Sequence, residues 1–326
     1  MSLNHLKTWS INQKIVASVT LLIFSILLFG AIAGFFIQKD LSVIESNSIG
    51  DQVKELAQKK MNNEVSEIGL FKEIQQLISV TDLSILNKTF YVQIVYNLLV
   101  FMGLSIVLIK LFEVDELKSL NFKNKSVVLF LVTFVLAINV PQIGIDATHI
   151  NEMIGLDSLQ ESWLGIDTVA DNVNLISQYI LLLPNDQRGW IITLIGLALI
   201  PAIGEELMFR GYLMNVFSQK SNYHNGIAVS ALIFALVHFN LTNFFYYFVL
   251  GVVMGYIYFW GRNLIFPIII HFINNSMVVF GYMYAISNED ISEDATNSYF
   301  IMPYITLGLS LFIFYLNFKR NKHLIK

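Results

Sequence analysis

Ile200-Pro-Ala-Ile-Gly-Glu-Glu-Leu-Met-Phe-Arg-Gly211 places two adjacent carboxylates, Glu205 and Glu206, in a stretch with no other charge between Trp190 and Phe209. A carboxylate near the middle of a bilayer costs roughly 2.5–3.5 kcal/mol on insertion scales. Such residues face a protein interior or a water-filled cavity and mark function by default. The stretch therefore predicts a membrane helix that carries chemistry.

The rest of the chain supports that environment. Of its 326 residues, 55% are hydrophobic and 13% charged, against about 25% charged in a soluble domain. Mean hydropathy is +0.62. There is no cysteine, which excludes disulfides, thiolate metal ligands and a cysteine nucleophile. No nucleotide-binding glycine motif, internal repeat or low-complexity tract occurs, and nucleic acid is not an expected partner. The lipid bilayer is.

Apolar runs of spanning length, about 17–25 residues, fall at 15–37, 90–109, 126–145, 189–208, 226–240, 243–260, 263–285 and 298–318. The fifth is short. The first lacks a small-residue cleavage site before a polar start, so it reads as a retained helix. The expected fold is an all-α polytopic transmembrane bundle with about eight spans. Three regions are expected: 1–189 with three spans and two long extracytoplasmic segments, a core at 190–285, and 286–326 with the last span and a basic tail.

Charge sets the orientation. With the N-terminus cytoplasmic, Lys7, Lys14, Lys110, Lys118, Lys123, Lys125, Arg210, Lys220, Arg262, Lys319, Arg320, Lys322 and Lys326 all fall inside, 13 of the 20 basic residues. The pieces 146–188 and 286–297 carry eleven acidic residues against Arg188 alone. Positive charge inside predicts N-in and C-in. Segment 38–89 is polar, with Val53, Leu56, Met61, Val65, Ile68, Phe71, Ile74 and Ile78 at helical spacing. It reads as a helical hairpin, an interfacial element or, most simply, a solvated helix. Segment 146–188 is acidic and weakly amphipathic over 166–183, which suits a lid on the bilayer or a surface loop.

Histidines narrow the chemistry. His5, His149, His224 and His323 lie in polar sequence and read as surface residues. His238 and His271 lie in apolar runs, each in an i,i+4 pair that shares a helix face: Phe234 with His238, and His271 with Asn275. Glu206 and Arg210 form a third pair. At about 1.5 Å per residue, these groups occupy the middle to cytoplasmic half of a core about 30 Å thick. A cavity open to the cytoplasm solvates them most simply.

A glutamate and a histidine near one water can strip its proton by general-base catalysis. A second histidine and an asparagine amide can donate to the oxyanion of a tetrahedral intermediate. Arg210 pairs with Glu206 and leaves Glu205 free. Zinc or another divalent metal held by Glu205, His238 and His271 is the alternative, although there is no His-Glu-x-x-His signature; direct activation without a tightly held ion is the favoured form. Ser230 and Ser276 lack a nucleophile-elbow context. Two weaker signals are Gly251-Val-Val-Met-Gly255, read as helix packing, and the aromatic run 244–248, read as an interfacial belt.

Together the motifs Glu205-Glu206-x-x-x-Arg210, Phe234-x-x-x-His238 and His271-x-x-x-Asn275 resemble the CPBP family. This family comprises the Abi-type CAAX proteases and bacteriocin-processing membrane proteins, type II CAAX prenyl endopeptidases among them. The resemblance covers about 190–280 and extends to Gly261-Arg-Asn-Leu-Ile-Phe-Pro-Ile268. It implies an intramembrane endopeptidase, of metalloprotease or metal-free glutamate type, acting on a peptide or membrane-protein substrate in a bacterial cell membrane. Glu205 would activate water with His238 assisting, His271 and Asn275 would form the oxyanion side, and Glu206 and Arg210 would support them. Two other readings use the same residues. One is a non-proteolytic partner-binding protein with an immunity or regulatory role. The other is a proton-coupled transporter, which expects inverted repeats that this sequence lacks.

Overall fold

Backbone N–H and C=O groups in hydrocarbon must be satisfied within the protein, and a helix does this segment by segment. The computed structural model describes residues 4–45, 48–62, 64–65, 67–80, 83–112, 126–156, 159, 184, 189–287 and 302–321; among them there are helices and no strands. After a single turn, Asn4–Lys7, come α1 (Ile11–Glu45), α2 (Ser48–Met61) and α3 (Glu67–Val80). Leu83–Asn97, a π-helical turn Leu98–Gly103 and Leu104–Phe112 run on as α4. Then come α5 (Val127–Ile154), α6 (Gly189–Lys220), α7 (Tyr223–Leu236), α8 (Phe244–Gly261), α9 (Ile265–Ser287) and α10 (Met302–Asn321).

Each of the eight apolar runs contains a helix, although some residues in them, 237–240, 243 and 263–264 included, lie outside helices. Among the described residues, five helices are long and apolar enough to cross a membrane: Ile11–Phe36, Asn87–Phe112, Val127–Asn151, Gly189–Lys220 and Phe244–Gly261. The short α7 has 14 residues, about 21 Å of helix. Apolar side chains of α1, α5 and α10 face outward, among them Phe24, Leu27, Leu131, Ile138, Leu309 and Phe312. An exposed apolar face of that extent is a liability in water and a contact surface in lipid.

α6 sits at the centre, packed by α1, α4, α7 and α9. A second group, α5, α8 and α10, packs beside it, and α7 and α9 touch both groups. One core runs through the bundle, with Phe101, Phe209, Tyr212, Phe234, Met254 and Phe266 buried in it. Pro201 lies inside the continuous α6. A helix-interior proline lacks an N–H and its ring presses on the carbonyl four residues back. That residue, Leu197, falls in the π-helical turn Ile195–Leu199, whose wider loop accommodates the ring. A second π-helical turn, Leu207–Leu213, follows the two glutamates and carries Arg210; such turns recur at functional sites.

Several helices exceed their apolar runs, α5 and α6 among them. α5 continues through Asp146 and His149 to Ile154, and α6 continues to Lys220. The remainder of segment 146–188, apart from residues 155–156, 159 and 184, lies outside the described residues, as do 113–125, 288–297 and the tail with Lys322 and His323. The described residues of segment 38–89 are mostly helical, and several of their apolar side chains are covered. Val53, Leu56, Leu70, Ile74 and Leu77 are buried, and α3 packs on α9. Lys59 links α2 to α3, 3.0 Å from Glu55 and 3.7 Å from Glu73. The hydrogen bond to Glu55, with attraction from Glu73, raises the Lys59 ammonium above its ordinary value.

The Gly-x-x-x-Gly of α8 is a packing groove, as its spacing suggests. A Cβ on Gly251 would lie 2.9 Å from the Ala231 Cβ and 3.0 Å from its Cα, and one on Gly255 would lie 2.8 Å from Ile227. Gly251→Ala is expected to cost about 1–3 kcal/mol, the usual penalty for overpacking. Gly308→Ala, where a Cβ meets nothing within 4 Å, is expected to be neutral. Thermal unfolding of both variants in detergent checks this; equal midpoints would refute it.

Candidate active site

Arg210 is 1% exposed and Glu206 0%, so neither charge reaches solvent and each needs a partner. On one helix face, four residues apart, they pair through Nη1 and Oε1. The second guanidinium nitrogen donates to the Gly251 carbonyl oxygen of α8 at 3.1 Å. The guanidinium also lies 4.7 Å from the centre of the Phe234 ring on α7. A residue of α6 is thus tied to α7 and α8 at once.

Glu206 does more than neutralise Arg210. Its Oε1 also accepts from Nδ1 of His271 on α9 at 2.8 Å. The other face of that imidazole, Nε2, lies 3.8 Å from Oε2 of Glu205. His271 therefore sits between the two glutamates, held by one and turned toward the other. Glu205 is 9% exposed and His271 3%. The Oε2 of Glu206 is buried without a hydrogen-bond partner.

His238 occupies a different place from the helix interior that its sequence suggests. α7 stops at Leu236, and Val237, His238 and Phe239 form the turn beyond it. Phe239, at φ 51°, ends the helix in the left-handed region, where a Cβ-bearing residue is strained. The motif spacing survives this early stop, because His238 Nδ1 lies 2.6 Å from the Phe234 carbonyl oxygen. A carbonyl oxygen only accepts, so Nδ1 carries the proton and Nε2 the lone pair. The imidazole stacks on Tyr247 of α8, 3.8 Å between ring centres and 17° between planes. Phe234 lies 4.8 Å from His238 and 5.9 Å from His271. That one ring therefore borders Arg210 and both histidines.

Among the described residues no contact joins His238 to Glu205; the histidine in ion-pair range of Glu205 is His271. Asn275 is half-buried on α9. Its neighbour Asn274 is more buried and accepts a hydrogen bond from the Tyr246 hydroxyl at 2.7 Å. Sequence spacing singled out neither Asn274 nor the two tyrosines. The run 244–248 read as an interfacial belt, whereas Tyr246 and Tyr247 point into the bundle, toward α9 and His238. A polar partner at the end of an aromatic ring is the signal that distinguishes the two uses, and it lies on other helices.

Among the described residues, no group of three His, Cys, Asp or Glu side chains is disposed to hold a metal ion. His271 and His238 each donate Nδ1–H to an oxygen, which orients the ring and leaves Nε2 on its other side.

Two buried carboxylates, an imidazole between them and a second imidazole with a free Nε2 are groups that move protons in a water-poor interior. The segment that carries all of them, residues 187–277, matches the family described as type II CAAX prenyl endopeptidase Rce1-like. This segment is thus similar to a family of CAAX peptidases. The apolar helices agree with an integral membrane protein. The matched segment begins just before α6 and ends within α9. α1 to α5 and α10 lie outside it. No curated protein and no solved structure matches the chain. Within the matched segment, Glu205, Glu206, Arg210 and His271 are brought together, and His238 joins them through Phe234.

Proposed function

We propose that this protein is an intramembrane endopeptidase that cleaves a peptide bond with water activated by Glu205. The observation that carries the proposal is the position of His271 between the two buried glutamates, 2.8 Å from one and 3.8 Å from the other. The wider separation exceeds a hydrogen bond and suits a water or carbonyl oxygen bridging both groups. Glu205 takes a proton from water, and the hydroxide oxygen bonds to the substrate carbonyl carbon. His238, with its lone pair on Nε2, assists as a second proton acceptor. Protonated His271 donates from Nε2 to the oxyanion while Nδ1 stays on Glu206, and the Asn275 amide donates beside it. The C–N bond then breaks, and the proton on Glu205 passes to the leaving amine. Products are a carboxylate and an amine. Glu206 and Arg210 support these groups without touching the reacting atoms.

The substrate class is a peptide or membrane-protein segment. We assign the catalytic core to 190–285, with 1–189 and 286–326 as the flanking membrane regions. The test is cleavage of a peptide library by purified protein in detergent or liposomes, read by mass spectrometry. Defined cleavage by wild type supports the assignment, and none across a broad library removes it. His149→Ala, on an exposed end of α5, is the silent control.

Charge asymmetry supports N-in, C-in topology with the site opening to the cytoplasm. Single cysteines at Asp157 and Lys322 are expected to label from outside intact cells at the first position and not the second. Labelling at Lys322 alone would reverse the orientation.

A further inference from the structure

We propose that Tyr247 is a positioning residue for His238: its ring sets the plane of the imidazole so that Nε2 faces the reacting water. The inference rests on the peptidase reading above and deepens it. His238 lies beyond the end of α7, so helix geometry does not fix its side chain. Three contacts do so instead. Nδ1 is held by the Phe234 carbonyl at 2.6 Å, the Phe234 ring lies at 4.8 Å, and Tyr247 stacks at 3.8 Å. The first fixes which nitrogen bears the proton. It still permits rotation about the Nδ1···O direction, and the stack on Tyr247 removes that freedom.

For Tyr247 to act this way it must itself be fixed, and the corner between α7 and α8 is built for that. Asn151, fully buried at the end of α5, donates to the Thr242 carbonyl oxygen at 2.6 Å and accepts from the Phe245 N–H at 3.2 Å. Asn240 accepts from the Asn243 N–H at 2.9 Å. The first turn of α8 is thereby pinned from both sides. Tyr246 locks it further: its ring passes over Gly144 of α5, where a Cβ would meet it at 2.6 Å, and its hydroxyl donates to Asn274 of α9. The planes of Tyr246 and Tyr247 lie at 82°, so adjacent residues serve two different helices. One face of Tyr247 is covered by His238, which leaves that face no substrate to bind.

The test compares Tyr247→Leu, which removes the stacking face, with Tyr247→Phe, which keeps it. With a cleaved peptide, Tyr247→Leu is expected to lower kcat about tenfold to hundredfold, as misplacement of a reacting group does, with KM nearly unchanged. Tyr247→Phe is expected to restore kcat to within about twofold of wild type, since the stack needs the ring and not the hydroxyl. Equal loss in both variants, or a change in KM alone, would overturn the proposal. A second readout does not depend on peptidase activity. Modification of His238 by diethyl pyrocarbonate, followed by peptide mass spectrometry, is expected to be several times faster in Tyr247→Leu and unchanged in Tyr247→Phe. An unchanged rate in Tyr247→Leu overturns the proposal. Retained cleavage by Glu205→Gln would instead sink the peptidase mechanism while leaving the His238 modification result to stand.

Discussion

Glu205→Gln is expected to lower peptide cleavage by about 100- to 10,000-fold, the contribution of a positioned general base. Glutamine keeps the shape of the side chain and loses the basic oxygen. The Arg210–Glu206–His271 chain of contacts stays complete, because Glu205 touches it only from the far side of the imidazole. Expression, membrane insertion and the unfolding midpoint should therefore match wild type. The measurement is kcat/KM on one defined peptide, with the unfolding midpoint taken on the same preparation. Undiminished turnover would eliminate Glu205 as the base, whereas lost turnover with a collapsed midpoint would mean that its role is structural.

Arg210→Ala is expected to be the most destabilising substitution in the core, costing about 3–5 kcal/mol, because it leaves a buried carboxylate without its partner. The cost has several sources here. Glu206 loses its ion pair, the Gly251 carbonyl loses its donor, and Phe234 loses the cation on its face. Arg210→Lys is not expected to rescue it, since a single ammonium cannot reach Glu206 and Gly251 through two separate nitrogens. Adding Glu206→Gln to Arg210→Ala removes the stranded charge and is expected to recover part of the loss. That recovery, read as a coupling between the two positions, distinguishes stranded charge from simple cavity formation. Additive losses across the cycle would refute the ion-pair account.

The parts of this site that the sequence makes legible are those governed by helix geometry. Glu206 with Arg210 and His271 with Asn275 sit four apart, and a helix turns such spacing into a shared face whatever surrounds it. The buried packing of Gly251 and Gly255 is legible for the same reason. The corner after α7 is not. No glycine or proline marks the end of that helix; a phenylalanine takes the left-handed turn, against the ordinary preference. The bridging role of Glu206 is hidden too, because its second partner, His271, lies 65 residues away on another helix. Hydropathy also understates α5 and α6. It reports how apolar a stretch is and not whether it is helical, so both helices continue past the ends of their apolar runs into more polar sequence. The tyrosines of α8 illustrate the same limit, because an aromatic ring suits a bilayer interface and a packed polar site equally well.

The distance in sequence between the partners of Arg210 and Glu206 matters for how the protein is made. Ahead of its terminal Lys220, α6 carries two acids and one base, yet the carbonyl that receives the guanidinium arrives 41 residues later and the imidazole 65 residues later. During that interval a nascent helix has only itself to lean on. Since Glu206 and Arg210 neutralise each other within one helix, the emerging segment exposes a single unmatched carboxylate to lipid instead of three charges. The pair is thus expected to ease translation-coupled insertion before it serves the finished protein. α6 is then expected to linger beside the insertion machinery until α9 emerges.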